Sequence, residues 1–479
     1  MYLILSILIV WGTTIHAQTS HTHPDKLYVE EAASDLTDVR RNSKVLTLEI
    51  VLEQGMRKNY NEQIRKKSGE ILLNQLQDNS DQFWFPNLNL TLQSSTQRVG
   101  TVVEGSRDSR TTRTPTGSFG LEVENFTVWN WGKDYLSFKN NKETIERNIE
   151  IQKEQTRNFR QNLISTYTKL LYLNEVLKLK KQQLRNASFV YRLNREKVPL
   201  KKVSKHGYYQ SRSDYLRAQD EYYQAKINLE IEFENMAELL NDPPEIKYLL
   251  NDEFKYSKIK MTSKGAYKIA YKNSPFLRTA KLNQRTTTRD YEIALRNNLP
   301  LPTISIDLGS YKHEFGGDST TRFATSAGNS IELVASVNAT WTLFGDGGLL
   351  NRRALATSRM TKENAQLTLE ATRRAVEKEI AKIYRRLRNI DDRLKILTSR
   401  VPSLKNRLDL ALDSYLERKS SYTDYQLALF ESYETQASEV ELKWTHFNLK
   451  IQLAQLIGVE ELPGHVFDRI VLGKEKGNL

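Results

Sequence analysis

Apolar residues along this chain recur with two different periods, and the change from one to the other separates strands from long helices. From Ser330 to Leu343, Ile331, Leu333, Ala335, Val337, Ala339, Trp341 and Leu343 alternate with Ser330, Glu332, Ser336, Asn338, Thr340 and Thr342. Period two predicts a strand with one apolar and one polar face. Leu88, Leu90 and Leu92 alternate in the same way with Asn87, Asn89, Thr91 and Gln93, as do Ile304, Ile306 and Leu308 with Thr303, Ser305 and Asp307. Between Ser118 and Val128 the parity changes, from Phe119, Leu121 and Val123 to Phe126 and Val128, which predicts a bulge near Glu124 or Asn125.

Elsewhere the period is helical. Val376, Ile380, Ile383, Leu387, Ile390, Leu394, Leu397 and Val401 are spaced alternately by four and three, and Phe430, Tyr433, Ala437, Val440, Trp444, Phe447, Ile451 and Ala454 continue the same way. These heptad seams predict helices packed as coiled coils. A weaker seam runs through Phe159, Leu163, Leu170, Leu173, Leu177 and Leu184, from Asp134 to about Leu193. A helix of about 60 residues extends about 90 Å, so the molecule is expected to be elongated.

The pattern occurs twice. Asn59 corresponds to Asn273, Gly132 to Gly345 and Asp214 to Asp424, at offsets of 214, 213 and 210 residues, and Pro86 and Pro300 each follow their Asn by 27. The expected organisation is a signal peptide over 1–17, a linker over 18–44, repeat one over 45–240 with strands at 86–98 and 118–129, and an inter-repeat linker over 241–260. Repeat two spans 261–458 with strands at 301–311 and 330–343, followed by a tail over 459–479. Asp242-Pro243-Pro244 breaks the helix between the repeats.

Composition narrows the class. Met1 to Ala17 forms a secretory signal with a small-residue cleavage site, and its apolar run is too short for a hydrocarbon core of about 30 Å. Mean hydropathy is −0.59 and no later run is long enough for a membrane helix, so any crossing falls to strands. There are no cysteines, hence no disulfides, thiolate metal sites or Cys nucleophiles. The net charge of +13 suits nucleic acid or an anionic membrane surface, and export disfavours nucleic acid. Two-faced strands of about ten residues are what a membrane barrel with a wet lumen requires. Trp84 and Phe85 enter the first strand, Trp129 and Trp131 leave the second, and Trp341 and Phe344 leave the fourth, so these aromatics predict one interfacial girdle. The loops at 99–117 and 311–329 then face the exterior. Four strands per chain leave open edges that lipid does not tolerate, so closure needs several copies, and three would give a twelve-stranded barrel.

The paired motifs resemble the TolC-type outer-membrane efflux protein family from about Val45 to Gly458. They are Trp84 to Leu88 and Leu299 to Ile304 at strand entry, Trp341 to Gly348 at strand exit, and Ser213-Asp214 with Thr423-Asp424 in the returning helices. The resemblance implies an α+β membrane protein: a homotrimer whose twelve-stranded β-barrel continues into a long periplasmic α-helical coiled-coil barrel. It further implies a tripartite efflux or type I secretion system, with an adaptor protein and an inner-membrane transporter at the helical tip. It assigns Asp424 to the pore constriction, and Asp214, Ser213 and Thr423 to bridging between tip helices. The competing reading of both Asp residues is that of N-terminal capping or first-turn acids stabilised by the helix dipole after Ser213 and Thr423, with Thr423 itself able to cap. Family members usually carry Gly six residues before that Asp; here Tyr208 and Arg418 stand there, and Arg192, Arg195, Lys197, Lys201, Lys202, Lys205 and Arg212 make the first tip strongly basic.

Enzymatic signals are weak. His21 and His23 sit in a polar linker without a carboxylate cluster, and His206, His313, His446 and His465 are scattered. Gly345 to Gly348 lacks the Lys-Ser or Lys-Thr of a phosphate loop. No catalytic residue, metal or cofactor is expected. An exported coiled-coil scaffold without a pore is the alternative, but it leaves the aromatic-flanked strands without a purpose.

Overall fold

The computed structural model of the chain describes residues 43–94, 117–309, 313–315, 334–343 and 351–463. The expected signal peptide, nearly all of the 18–44 linker, most of both long strand-connecting loops, Ile331, Leu333, Phe344 and the tail beyond residue 463 lie outside the described residues. The chain runs β1 (Ser43–Leu46), α1 (Leu48–Lys58), α2 (Tyr60–Trp84), β2 (Asn89–Ser94), β3 (Gly117–Trp129), α3 (Lys133–Lys197) and α4 (Lys205–Leu240). It continues as β4 (Lys247–Leu250), α5 (Ser263–Asn273), α6 (Pro275–Asn297), β5 (Thr303–Gly309), β6 (His313–Phe315), β7 (Val334–Thr340), α7 (Arg352–Leu416) and α8 (Tyr422–Ile457).

One sequence landmark, Asn59, is a break between helices, and its counterpart Asn273 ends a helix just before one. Asn59 leaves the helical region (φ −62°, ψ 126°) and its side chain caps α2 by accepting from Glu62 N at 3.2 Å. Ser274 occupies the same place ahead of Pro275, whose fixed φ suits the first position of α6. Each opening helix is therefore two helices meeting at a corner.

The long helices set the dimensions. α3 and α7 each have 65 residues, about 97 Å at 1.5 Å per residue. α4 returns along α3 and α8 along α7. The α7 seam is buried throughout, from Val376 to Val401, and continues through Leu404 and Leu408. On α8 the seam covers only part of what is buried. Tyr433, Phe447, Ile451 and Ala454 are buried, but so are Tyr425, Leu429, Leu442, Leu449 and Leu453 on other sides. α8 contacts both α7 and α3, so two faces are covered and a single heptad stripe under-describes it.

The inter-repeat segment is anchored where the pattern predicted only a linker. β4 pairs in parallel with β1, from Ser43↔Lys247 to Leu46↔Leu250. Tyr167 Oη donates to Asp252 Oδ2 at 2.7 Å and Tyr256 Oη to Asp391 Oδ1 at 2.6 Å, while Lys450 donates to the carbonyl of Ser257 and, at 3.0 Å, to its hydroxyl. His446, fully buried, places Nε2 3.0 Å from Asp391 Oδ1. Burial pushes the Lys450 ammonium down to about 8.

The second sheet is antiparallel in the order β2-β3-β5-β7, and β6 continues beside β3 beyond the end of β5. β2 and β7 each have one edge unpaired within the described residues.

Candidate functional site

Register determines which side chains of the sheet share a face, because directly opposed residues point the same way. Ile304 faces Ala339, Ile306 faces Val337 and Leu308 faces Ala335; across β3, Leu308 faces Val123, Ile306 faces Phe126 and Ile304 faces Trp129. One face is therefore apolar, and on it Val337 is 69% exposed. Ser305 faces Asn338, Asp307 faces Ser336 and Thr303 faces Thr340, which makes the other face polar.

Val123 and Phe126 share a face although three residues apart, because the register shifts between them and Asn125 adopts φ 50°. That is the expected bulge. A second shift lies between Thr127 and Trp129, so Trp129 and not Val128 stands opposite Ile304. Simple parity had grouped Val128 with Phe126. Asp307 fastens this region: its carboxylate accepts from the Asn125 N–H at 2.5 Å, from Ser336 Oγ at 3.3 Å and from Asn338 Nδ2. A charged residue in an otherwise alternating strand was the available signal for it.

Five of the six expected girdle aromatics stand where the strands pass into the helices, and all five are exposed. Trp84 ends α2 and Phe85 follows it; Trp129 ends β3, Trp131 lies in the turn before α3, and Trp341 follows β7. Trp129 and Trp131 have ring centroids 6.0 Å apart, and Trp131 Nε1 donates to the Pro302 carbonyl at 3.0 Å. Phe344 is outside the described residues.

At the opposite end of the molecule the two repeats treat their Asp differently. Asp424 is the third residue of α8 and closes a capping box with Ser421: its backbone N–H donates to Ser421 Oγ at 3.2 Å, and its carboxylate accepts from Ser421 N at 3.2 Å and Ser421 Oγ at 2.7 Å. The Ser421 hydroxyl and then its backbone N–H hold the Asp424 carboxyl below the usual carboxylate range. The cap is Ser421, not Thr423 as the sequence motif suggested. Asp214 lies well inside α4, whose cap is Ser204, so it is neither a cap nor a first-turn acid. It is 6% exposed and accepts from Tyr422 Oη at 2.7 Å and Gln426 Nε2 at 2.8 Å, both on α8. Burial, only partly offset by these donors, raises its carboxyl pKa. Ser213 and Thr423 are exposed. Tyr422 and Gln426 are the bridge partners that the duplicated motif did not reveal. The expected Gly positions hold Tyr208 and Arg418, and Arg418 adopts φ 63°, a left-handed conformation that favours glycine.

The chain thus joins a two-faced sheet to two long antiparallel helix hairpins. Residues 266–459 match the family of outer membrane efflux proteins, in agreement with the TolC-type resemblance carried by the paired motifs. The family is one of channels and not of enzymes. The fold is shared with the Campylobacter jejuni outer membrane channel CmeC (TM-score 0.72, 16% identity, 88% of each chain covered). It is also shared with VceC of Vibrio cholerae (0.68, 14% identity, 86% of this chain and 97% of that one). The open-state Neisseria gonorrhoeae channel MtrE aligns at 0.67 and 14% identity, over 88% of this chain and 94% of that one. No curated protein matches the chain. Among the described residues no three His, Asp or Glu side chains gather as a metal site, and no helix is long and apolar enough to cross a membrane.

Proposed function

We propose that this chain is a subunit of an outer-membrane efflux channel. Three copies close their sheets into one twelve-stranded barrel, which continues into a helical barrel reaching across the periplasm. The assembly gives a passive route outward for solutes or unfolded polypeptides, loaded through a periplasmic adaptor and an inner-membrane transporter in a tripartite efflux or type I secretion system.

The observation that carries this reading is the sheet. On its apolar face Leu308, Val337 and Trp129 are exposed, its polar face is cross-linked by Asp307, and among the described residues β2 and β7 offer free edges that a bilayer would not tolerate. A soluble scaffold has no use for an exposed apolar face rimmed by Trp. At the far end, Asp424 from three chains would form an acidic ring at the constriction, favouring cations. Asp214, held by Tyr422 and Gln426, would brace neighbouring helices in the closed state. Purified protein reconstituted in planar bilayers tests the reading. Discrete conductance steps are expected, and a protein that inserts but never conducts would overturn it.

A further inference from the structure

Where the strands pass into the long helices, a basic patch stands among exposed aromatics. Residues 293–303 and 351–358 contain Arg296, Arg352 and Arg353 and no Asp or Glu, and Lys133 opens α3 just after Trp131 and Gly132. The fold brings these segments to one level. Lys133 lines a crevice with Leu299, Pro300, Trp341 and Leu343. α6 leads into β5 and α7 follows β7, and the ends of those strands, Thr303 and Thr340, are paired, so the two helices run in opposite directions. Lys362 Nζ of α7 lies 4.9 Å from the centroid of the Tyr291 ring of α6. The first turn of α7, which begins ten residues before Lys362, therefore reaches past the end of α6 to the level of strand entry.

Local chemistry accounts for one of these cations. Arg296 occupies the last turn of α6, where a cation complements the helix dipole, and its Nη1 donates to the Trp131 carbonyl at 2.8 Å. Lys133, Arg352 and Arg353 have no such explanation. Each stands in the first turn of a 65-residue helix, where the dipole disfavours a cation; α3 offsets this with Asp134, and α7 has no acid there. Arg352 and Arg353 are exposed and Lys133 partly so, and none of the three forms an ion pair among the described residues.

Beside the cations the surface is amphipathic. Trp129 pairs with Ile304, and Trp341 follows Thr340, the partner of Thr303, so both indoles lie at the strand entry, with Trp131 next to Trp129. All three are exposed, as are Leu299 and Leu343. Trp131 is fixed in place, since its Nε1 donates to the Pro302 carbonyl at 3.0 Å while its own carbonyl accepts from Arg296. Indoles with an apolar body and a polar N–H collect where hydrocarbon gives way to water. From strand to helix the order is thus apolar face, Trp, cation.

We infer that this junction binds an anionic phospholipid of the periplasmic leaflet, with Lys133, Arg352 and Arg353 supplying the counter-charge to its headgroup and Trp129, Trp131 and Trp341 flanking the start of its acyl chains. Basic residues just outside a hydrocarbon boundary attract anionic headgroups. Only an amphiphile meets the cations and the adjoining apolar strand face together, which favours a lipid over an acidic protein. The leaflet follows from the topology, because the patch lies where strands become helices, the side that the channel reading assigns to the periplasm. The inference rests on that reading and adds to it the class of lipid and the residues that select it.

The test uses the full-length protein in phosphatidylcholine vesicles, titrated with phosphatidylglycerol or phosphatidylcholine brominated on the acyl chain, which quenches nearby Trp fluorescence. Brominated phosphatidylglycerol is expected to bind about threefold or more better than brominated phosphatidylcholine, and the preference should shrink between about 50 and about 500 mM salt. K133Q/R352Q/R353Q should abolish the preference and K133R/R352K/R353K should keep it within about twofold. K201Q/K202Q/K205Q, which removes as much charge at the opposite end of the molecule, should also keep it. Equal quenching by the two lipids in the wild type, an unchanged preference in the first variant, or the same loss in the distant variant overturns the inference. Bilayer conductance of the wild type separates the two readings: discrete steps without a lipid preference overturn the inference and leave the channel standing, and a preference in a protein that never conducts overturns the channel alone.

Discussion

At the scale of single residues, duplication has produced two carboxylates with different environments. Asp424 is exposed and bound to its own helix start, and the proposed channel would place it at the axis; Asp214 is buried and committed to Tyr422 and Gln426 of the other hairpin. Asp424→Asn is therefore expected to reduce cation selectivity and block by divalent ions in bilayers without changing assembly yield. Asp214→Asn is expected to raise open probability and leave selectivity intact, because it weakens a contact between helices. Unaltered selectivity in Asp424→Asn would remove that residue from the pore. A second residue-scale prediction concerns Lys450. Its folded pKa of about 8 lies below the ordinary 10.5, so between those values the unfolded chain holds a proton that the folded chain has released, and stability rises with pH. The melting temperature should climb from about pH 8 to about pH 9.5 in the wild type and lose that climb in Lys450→Met. The same climb in the variant would assign it to other groups.

At the scale of elements, the sheet makes the sharpest claim. Val337 and Asn338 are neighbours on β7 with opposite surroundings: Val337 stands beside Ile306 on the apolar face, and Asn338 donates to Asp307. Val337→Arg should destabilise the assembly by about 2–4 kcal/mol if it lies near the bilayer midplane, whereas Asn338→Arg keeps the Asp307 carboxylate within reach and should be tolerated. Denaturant-dependent mobility shifts of the folded barrel would measure both. Equal losses at the two positions would contradict the assignment of faces.

At the scale of the whole molecule, the proposed barrel ties closure and length to the number of copies. A four-stranded sheet cannot seal its edges in lipid, and single long hairpins would leave exposed residues such as Leu367, Ile396 and Leu410 of α7 uncovered along about 97 Å. Native mass measurement in detergent should return three chains. A stable monomer that keeps its strands would refute the barrel.

The sequence by itself determined what depends on neighbours along the chain. Period two announced the two-faced strands, the heptads announced α7, and the change of parity placed the bulge at Asn125, because these patterns record which side of a local structure is covered. Tertiary structure decided what depends on partners far apart in sequence. β1 met β4 in parallel, Lys450 reached Ser257 across 193 residues and Asp214 found Tyr422 across 208; α8 was covered on two faces, and a second register shift brought Trp129 opposite Ile304. None of these leaves a period. A hydrogen bond between distant residues is specified by where the helices and strands finally pack, and a residue covered from two sides no longer follows the single stripe by which one face is read.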